Sequence, residues 1–113
     1  LTIGTGIGGA GMINGSFLQG DKHPEMGHIF LPKLNYDNFE GGCPYHNDRC
    51  FEGLVSGTSL GLRAGVNAET INVGEQLWEL VAEYISLALV NYIYILAPKK
   101  NNNWRWGNET ERV

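Results

Sequence analysis

The chain carries little charge and no excess of positive charge. Its 113 residues include 8 Lys and Arg against 12 Asp and Glu, a formal net charge of -4 at pH 7. Nothing in that balance points to nucleic acid or to an anionic membrane as a partner. No basic segment followed by a short apolar run is visible, so no secretory signal is read. The longest apolar stretch, Leu77–Pro98, is broken by Glu79, Glu83 and Asn91, which argues against a membrane span. Cysteine is scarce, and the 2 present, Cys43 and Cys50, lie close together with His46 between them. In a chain without an export signal that pattern favours metal binding, and a Cys43–Cys50 disulfide is the weaker alternative.

What remains is globular in composition, 42% hydrophobic and 18% charged. The length suits one small domain or part of a larger one. Because the chain begins at Leu1 and not at Met, it is read as a piece of a longer protein.

Glycine is concentrated at the start, at Gly4, Gly6, Gly8, Gly9, Gly11, Gly15 and Gly20. Such a segment allows close backbone approach to a ligand, and it equally suits a hairpin with no ligand. Leu1–Ile3 is expected to end a strand. Gly9–Ile13 and Ser16–Gln19 are expected to pair across an Asn14-Gly15 turn. The stretch Asp21–Asn47 is loop-like, with His28–Leu31 its one short strand. So long a loop needs something to pin it.

Helical patterning begins near Glu52. Ser56–Arg63 is predicted as a short helix capped by Ser56, and Asn67–Ile71 as another helical turn. Glu75–Leu96 is the main helix. Leu77, Leu80, Val81, Tyr84, Ile85, Ala88, Tyr92 and Ile95 recur at three- and four-residue steps. Leu87, Leu89 and Val90 make its other face apolar too, which predicts burial on more than one side. Pro98 ends it.

His28, Cys43, His46 and Cys50 offer two imidazoles and two thiols. Zinc favours four such ligands in tetrahedral geometry, and four protein ligands close a site into a structural one. Cys43-x-x-His46 and His46-x-x-x-Cys50 have the spacing of a tight knuckle, to which His28 returns through the loop. The bland alternative is two free cysteines with surface histidines.

Three motifs in order give a resemblance. They are Ile3-x-x-Gly6-Ile7-Gly8-x-Ala10, then His23-Pro24-Glu25-Met26-Gly27-His28-Ile29, then Gly41-Gly42-Cys43-Pro44-Tyr45-His46-x-x-x-Cys50-Phe51-Glu52-Gly53. Together they resemble the ROK family of sugar kinases and related repressors, and within it the bacterial fructokinase branch, over Leu1 to about Lys100. The resemblance implies an α/β protein with the ribonuclease-H-like, actin/hexokinase-type sugar-kinase architecture, of which residues 1–100 would form part of the second lobe. It implies transfer of a phosphoryl group from ATP, with Mg2+, to a hexose such as fructose. Thr5, Gly6, Gly8 and Thr58 would face the nucleotide. Glu25, His28 and Glu52 would face the sugar. His28, Cys43, His46 and Cys50 would hold a structural zinc, with His28 serving both metal and sugar. No catalytic residue is assigned within the chain, since the family's catalytic aspartate lies upstream. A cytoplasmic homodimer that binds neither nucleic acid nor membrane is implied. A kinase for glucose, mannose or an amino sugar, or a sugar-responsive repressor, is the alternative.

The chain departs from the family pattern at Gly11, where an apolar residue is expected, at Thr58, where proline is usual, and at Gly61, where glutamate is usual. After Pro98 the family's Gly-Gly-Gly-Val motif is missing. One choice of codons for Asn101–Arg112, read one base later, spells Ile-Ile-Ile-Gly-Gly-Gly-Val. Residues 101–113 are therefore expected to be a frameshifted, disordered tail.

Overall fold

A computed structural model describes residues 1–67 and 74–99, together with the backbone of residues 105–106. The helical turn expected at Asn67–Ile71, beyond Asn67, and most of the segment 101–113 lie outside the described residues.

Two small hairpins open an α/β chain. Strand β1 (Thr2–Ile3) pairs antiparallel with β2 (Ile7–Gly8), so that the glycine-rich Gly4–Gly6 segment becomes the turn between them. Strand β3 (Met12–Ile13) pairs antiparallel with β4 (Ser16–Phe17). Asn14 and Gly15 supply the turn with φ of 51° and 79°, as the Asn-Gly pair predicts. Gly11 joins this pairing through its carbonyl, which accepts the Leu18 N–H at 2.8 Å. The backbone of β5 (Arg105–Trp106) lies parallel to β1 on the edge away from β2, giving the order β2-β1-β5.

His28–Leu31 is not a strand. Met26–His28 forms a single 3-10 turn, closed by the His28 N–H donating to the Glu25 carbonyl at 3.0 Å. Of the stretch expected to extend, only Phe30 makes a bridge, to Cys50. The Phe51 N–H to Ile29 carbonyl and Leu31 N–H to Arg49 carbonyl bonds flank it. Pro32 has no N–H with which to continue the ladder.

Three helices follow. Helix α1 (Phe51–Val55) has five residues and is far too short to stand alone. Burial holds it, since Phe51, Leu54 and Val55 are fully buried, and each such side chain contributes about 1.5–3 kcal/mol. Helix α2 (Gly57–Ala64) starts at Ser56, whose hydroxyl accepts the Ser59 N–H as an N-cap. It ends at Gly65 in the left-handed conformation. Helix α3 (Glu75–Leu96) has the predicted bounds, and Ala97, before Pro98, closes it by donating to the Ile93 carbonyl.

Val81, Tyr84, Ile85, Ala88 and Tyr92 of α3 pack with α1, Leu60, Leu31 and the first hairpin into one core. The expected apolar face holds except at Ile95, which is 76% exposed. It falls in the last turn, beyond Tyr92, the last buried residue of the helix. Of the other face, Leu87 and Leu89 are partly buried against the core, whereas Val90 is exposed, so the expected burial on more than one side holds only in part. By length and composition α3 is apolar enough to cross a membrane, but its buried stripe packs on this core.

Candidate metal centre

The loop between the 3-10 turn and α1 brings together the four predicted ligands. One potential ligand atom from each of His28, Cys43, His46 and Cys50 lies within 4.8 Å of the others. Local chemistry explains the arrangement. The Asn47 N–H returns to the Cys43 carbonyl at 2.9 Å and closes the knuckle. Asn47 takes a φ of 53°, a conformation asparagine tolerates better than most residues. Gly53 of α1 lies beneath, where a Cβ would fall 1.9 Å from the Asn47 carbonyl oxygen, so the knuckle needs glycine there.

Cys50 is the N-cap of α1, its sulfur accepting the Gly53 N–H at 3.3 Å. His28 Nδ1 lies 3.8 Å from Cys43 Sγ and 3.7 Å from Cys50 Sγ, and His46 Nδ1 lies 3.8 Å from Cys43 Sγ. A tetrahedron with ordinary zinc–sulfur and zinc–nitrogen bonds has ligand–ligand edges of roughly 3.3–3.8 Å. These three separations match such edges, and the donor set suits zinc in chemistry. Both cysteines are free and buried, so the disulfide is not formed. Burial, with the Cys43 thiol adding to it against the helping Gly53 N–H, pushes the Cys50 thiol up from 9.0 to about 11. A bound cation reverses that preference, because the thiolate is the ligand form.

The loop has a second anchor on the side facing α2 and α3. Asp37 is buried and accepts two parallel bonds from Arg63 at 2.7 Å, one from the Tyr84 hydroxyl at 2.7 Å and one from the Phe39 N–H at 3.1 Å. Tyr84 in turn accepts the Leu34 N–H, and the Arg63 guanidinium stacks 4.1 Å over Phe39. Burial opposes the charge on Asp37, but the Arg63 and Tyr84 hydrogen bonds outweigh it and hold the carboxyl at about 2. Nearby, Lys33 bridges the Phe39 carbonyl and Asp48, and the Tyr92 hydroxyl donates to the Met26 carbonyl beside the 3-10 turn. The Asp37 network was not visible in the sequence; the one local hint was the Asp37-x-Phe39 spacing of an Asx turn.

The remaining predicted residues divide. Glu52, on α1, lies beside His28 at 3.8 Å and accepts the Ile7 N–H at 2.8 Å. Glu25 instead points to His23 at 2.7 Å, its side chain 63% exposed. Thr5 and Gly6 form the turn of the first hairpin, and Gly8 lies in β2. Thr58 donates to the Thr5 carbonyl at 2.8 Å, and the Gly57 N–H donates to the Gly4 carbonyl at 2.6 Å. The start of α2 thus holds the glycine turn in place.

The model of the ROK family matches residues 1–100, and the chain belongs to that family. It is 51% identical over 100 residues to a putative fructokinase of Bacillus subtilis (strain 168), an alignment spanning 88% of this chain and 33% of that protein. It is 43% identical over 100 residues to a fructokinase of Lactococcus lactis subsp. cremoris, spanning 88% and 34%. A fructokinase of Zymomonas mobilis subsp. mobilis (strain ATCC 31821 / ZM4 / CP4) is 38% identical over 103 residues, spanning 88% and 34%. The chain spans about a third of the length of these relatives.

Proposed function

We propose that the whole protein transfers the γ-phosphoryl group of ATP to a hexose hydroxyl, with fructose the favoured acceptor and fructose 6-phosphate the product. The chain would form part of the second lobe of an actin/hexokinase-type kinase. One observation supports this reading: four converging His and Cys side chains able to hold a metal, with Glu52 between them and the glycine hairpin, in a chain similar to proteins named fructokinase.

In this reading the hairpin's backbone N–H groups and Thr5 face the nucleotide phosphates, as a nest of donors faces a polyanion. Thr58 has its hydroxyl on the Thr5 carbonyl, so it acts on the nucleotide by shaping that turn. Glu25, His28 and Glu52 read the positions of sugar hydroxyls, and carboxylates suit that task as acceptors. A zinc with four protein ligands cross-links the loop and leaves no open position for substrate. In the reaction the sugar oxygen bonds to the γ-phosphorus, the bond to the β-phosphate oxygen breaks, and ADP leaves. The hydroxyl proton goes to a carboxylate base outside this chain. Positioning and charge neutralisation, with Mg2+ on the nucleotide, supply most of the rate. The same reading makes the protein a cytoplasmic homodimer.

The test is an ATP-consumption assay of the whole protein against fructose, glucose, mannose and amino sugars, with metal quantified on the same sample. The expected result is the highest kcat/KM with fructose and stoichiometric zinc. Preference for another hexose would move the substrate, and no consumption with any hexose would end the kinase reading.

A further inference from the structure

Glu52 stands between two features that the sequence presents as separate motifs. Its Oε2 accepts the backbone N–H of Ile7, the first residue of β2, at 2.8 Å. Its Oε1 lies 3.8 Å from His28 Nε2, an electrostatic contact longer than a hydrogen bond. The other nitrogen of that ring, Nδ1, faces the sulfurs of Cys43 and Cys50. One imidazole therefore meets the metal cluster on one side and Glu52 on the other. One carboxylate meets that imidazole with one oxygen and the hairpin backbone with the other. Gly6 lies against the same oxygen, where a Cβ would fall 2.8 Å from Glu52 Oε2. A side chain at position 6 would push the carboxylate from its present seat.

We propose that Glu52 is a positioning residue that couples the metal centre to the glycine hairpin. The proposal rests on the metal reading above. With His28 Nδ1 given to a cation, the neutral ring must carry its proton on Nε2, the nitrogen that faces Glu52. Carboxylates in this outer position orient metal-bound histidines. Here the carboxylate's second oxygen carries that order on to Ile7 of β2, while Gly57 and Thr58 hold Gly4 and Thr5. Filling the metal site thereby firms the hairpin. Emptying it frees the ring and slackens the hold on Ile7.

The experiment is amide hydrogen exchange on the whole protein, zinc-loaded and chelator-treated, as wild type, Glu52→Ala and Glu52→Gln. Zinc is quantified in each, and the core amide of Leu60 serves as reference. In wild type the Ile7 amide should exchange about tenfold more slowly with zinc than without, while Leu60 stays unchanged. Glu52→Ala should take up zinc and yet show fast Ile7 exchange in both states. Glu52→Gln keeps an acceptor for Ile7 and should restore protection with a smaller response to zinc. Stoichiometric zinc with no change at Ile7 overturns the coupling alone, as does a zinc response that survives in Glu52→Ala or one shared equally by Leu60. Should Glu52→Ala not fold, wild type and Glu52→Gln decide between these outcomes. A wild type that takes up no zinc overturns the metal reading and the coupling with it.

Discussion

Replacing Asp37 by asparagine keeps the side chain's size and removes its charge. The carboxylate lies in a pocket where its own side chain is 3% exposed and that of Arg63 is 8% exposed. Arg63 spends both terminal nitrogens on Asp37 and its Nε on the Leu54 carbonyl. The carboxyl is lowered from 3.8 to about 2, a preference for the charged form of about 2 kcal/mol. Asparagine resembles the protonated acid, so about 2 kcal/mol is the smallest loss expected. Breaking a buried ion pair by removing one partner costs about 3–5 kcal/mol, because the other charge stays buried and uncompensated. The loss should therefore lie between these values. Urea denaturation of the whole protein in zinc buffer measures it. Arg63→Met and the double variant complete the cycle, and the double variant should lose less than the sum of the single losses by more than about 1 kcal/mol. The sign with pH follows from the lowered value. This contribution is fully present above the unfolded pKa of 3.8 and is lost as pH falls through about 2. Subtracting the Asp37→Asn curve from the wild-type curve cancels most other groups. A loss at pH 7 below about 1 kcal/mol, or a difference flat between pH 4 and 2, would refute the argument.

Two further outcomes follow from the site. Gly53→Ala forces a Cβ to within 1.9 Å of the Asn47 carbonyl oxygen, which must displace the knuckle; stability should fall by about 1–3 kcal/mol in thermal unfolding and zinc affinity should fall with it in a competition titration. Cys50→Ser removes one thiolate and leaves a hydroxyl that can still accept the Gly53 N–H as an N-cap; zinc content by metal analysis should drop well below that of wild type at neutral pH, while α3 helicity by circular dichroism should stay within about a tenth of wild type, because its stripe packs on core residues distinct from the ligands.

Local patterns were legible in the sequence. The three- and four-residue recurrence along 75–96 marks α3, and Asn14-Gly15 marks the hairpin turn. The cysteine–histidine spacing marks the knuckle because a short segment has few ways to converge four such side chains. Contacts between distant residues were not legible. Asp37 meets Arg63 across 26 residues and Tyr84 across 47, and neither aspartate nor arginine announces a buried partner. Tyr84 was placed on the core face correctly, but its hydroxyl's partner lies on the loop. His28–Leu31 misled because the apolar run Ile29-Phe30-Leu31 suits a short strand, whereas the Glu25 carbonyl and the Phe30–Cys50 bridge leave it only a turn and one bridge. Ile95 continues the apolar period of α3 after the core has ended.

The loop from His28 to Cys50 is thus held from two sides by different chemistry. Toward α2 and α3 it is tied by Asp37, by the Leu34 N–H on Tyr84, and by the bond between Tyr36 and Glu83. Toward the first hairpin it is tied through the ligand cluster and Glu52. The first set needs no metal, so metal removal should not release the whole loop. It should release the inner edge, where His28 and the knuckle converge. That edge carries His28, proposed above to face the sugar, and lies beside Glu52, which contacts the hairpin proposed to face the phosphates. A metal held there, with the outer half of the loop anchored independently, would act on the geometry of the two proposed binding segments more than on global stability. Metal-stripped protein should accordingly keep most of its unfolding free energy while its KM values rise. If the unfolding midpoint collapsed on chelation while the KM values of the surviving folded fraction stayed the same, this division of labour would be wrong.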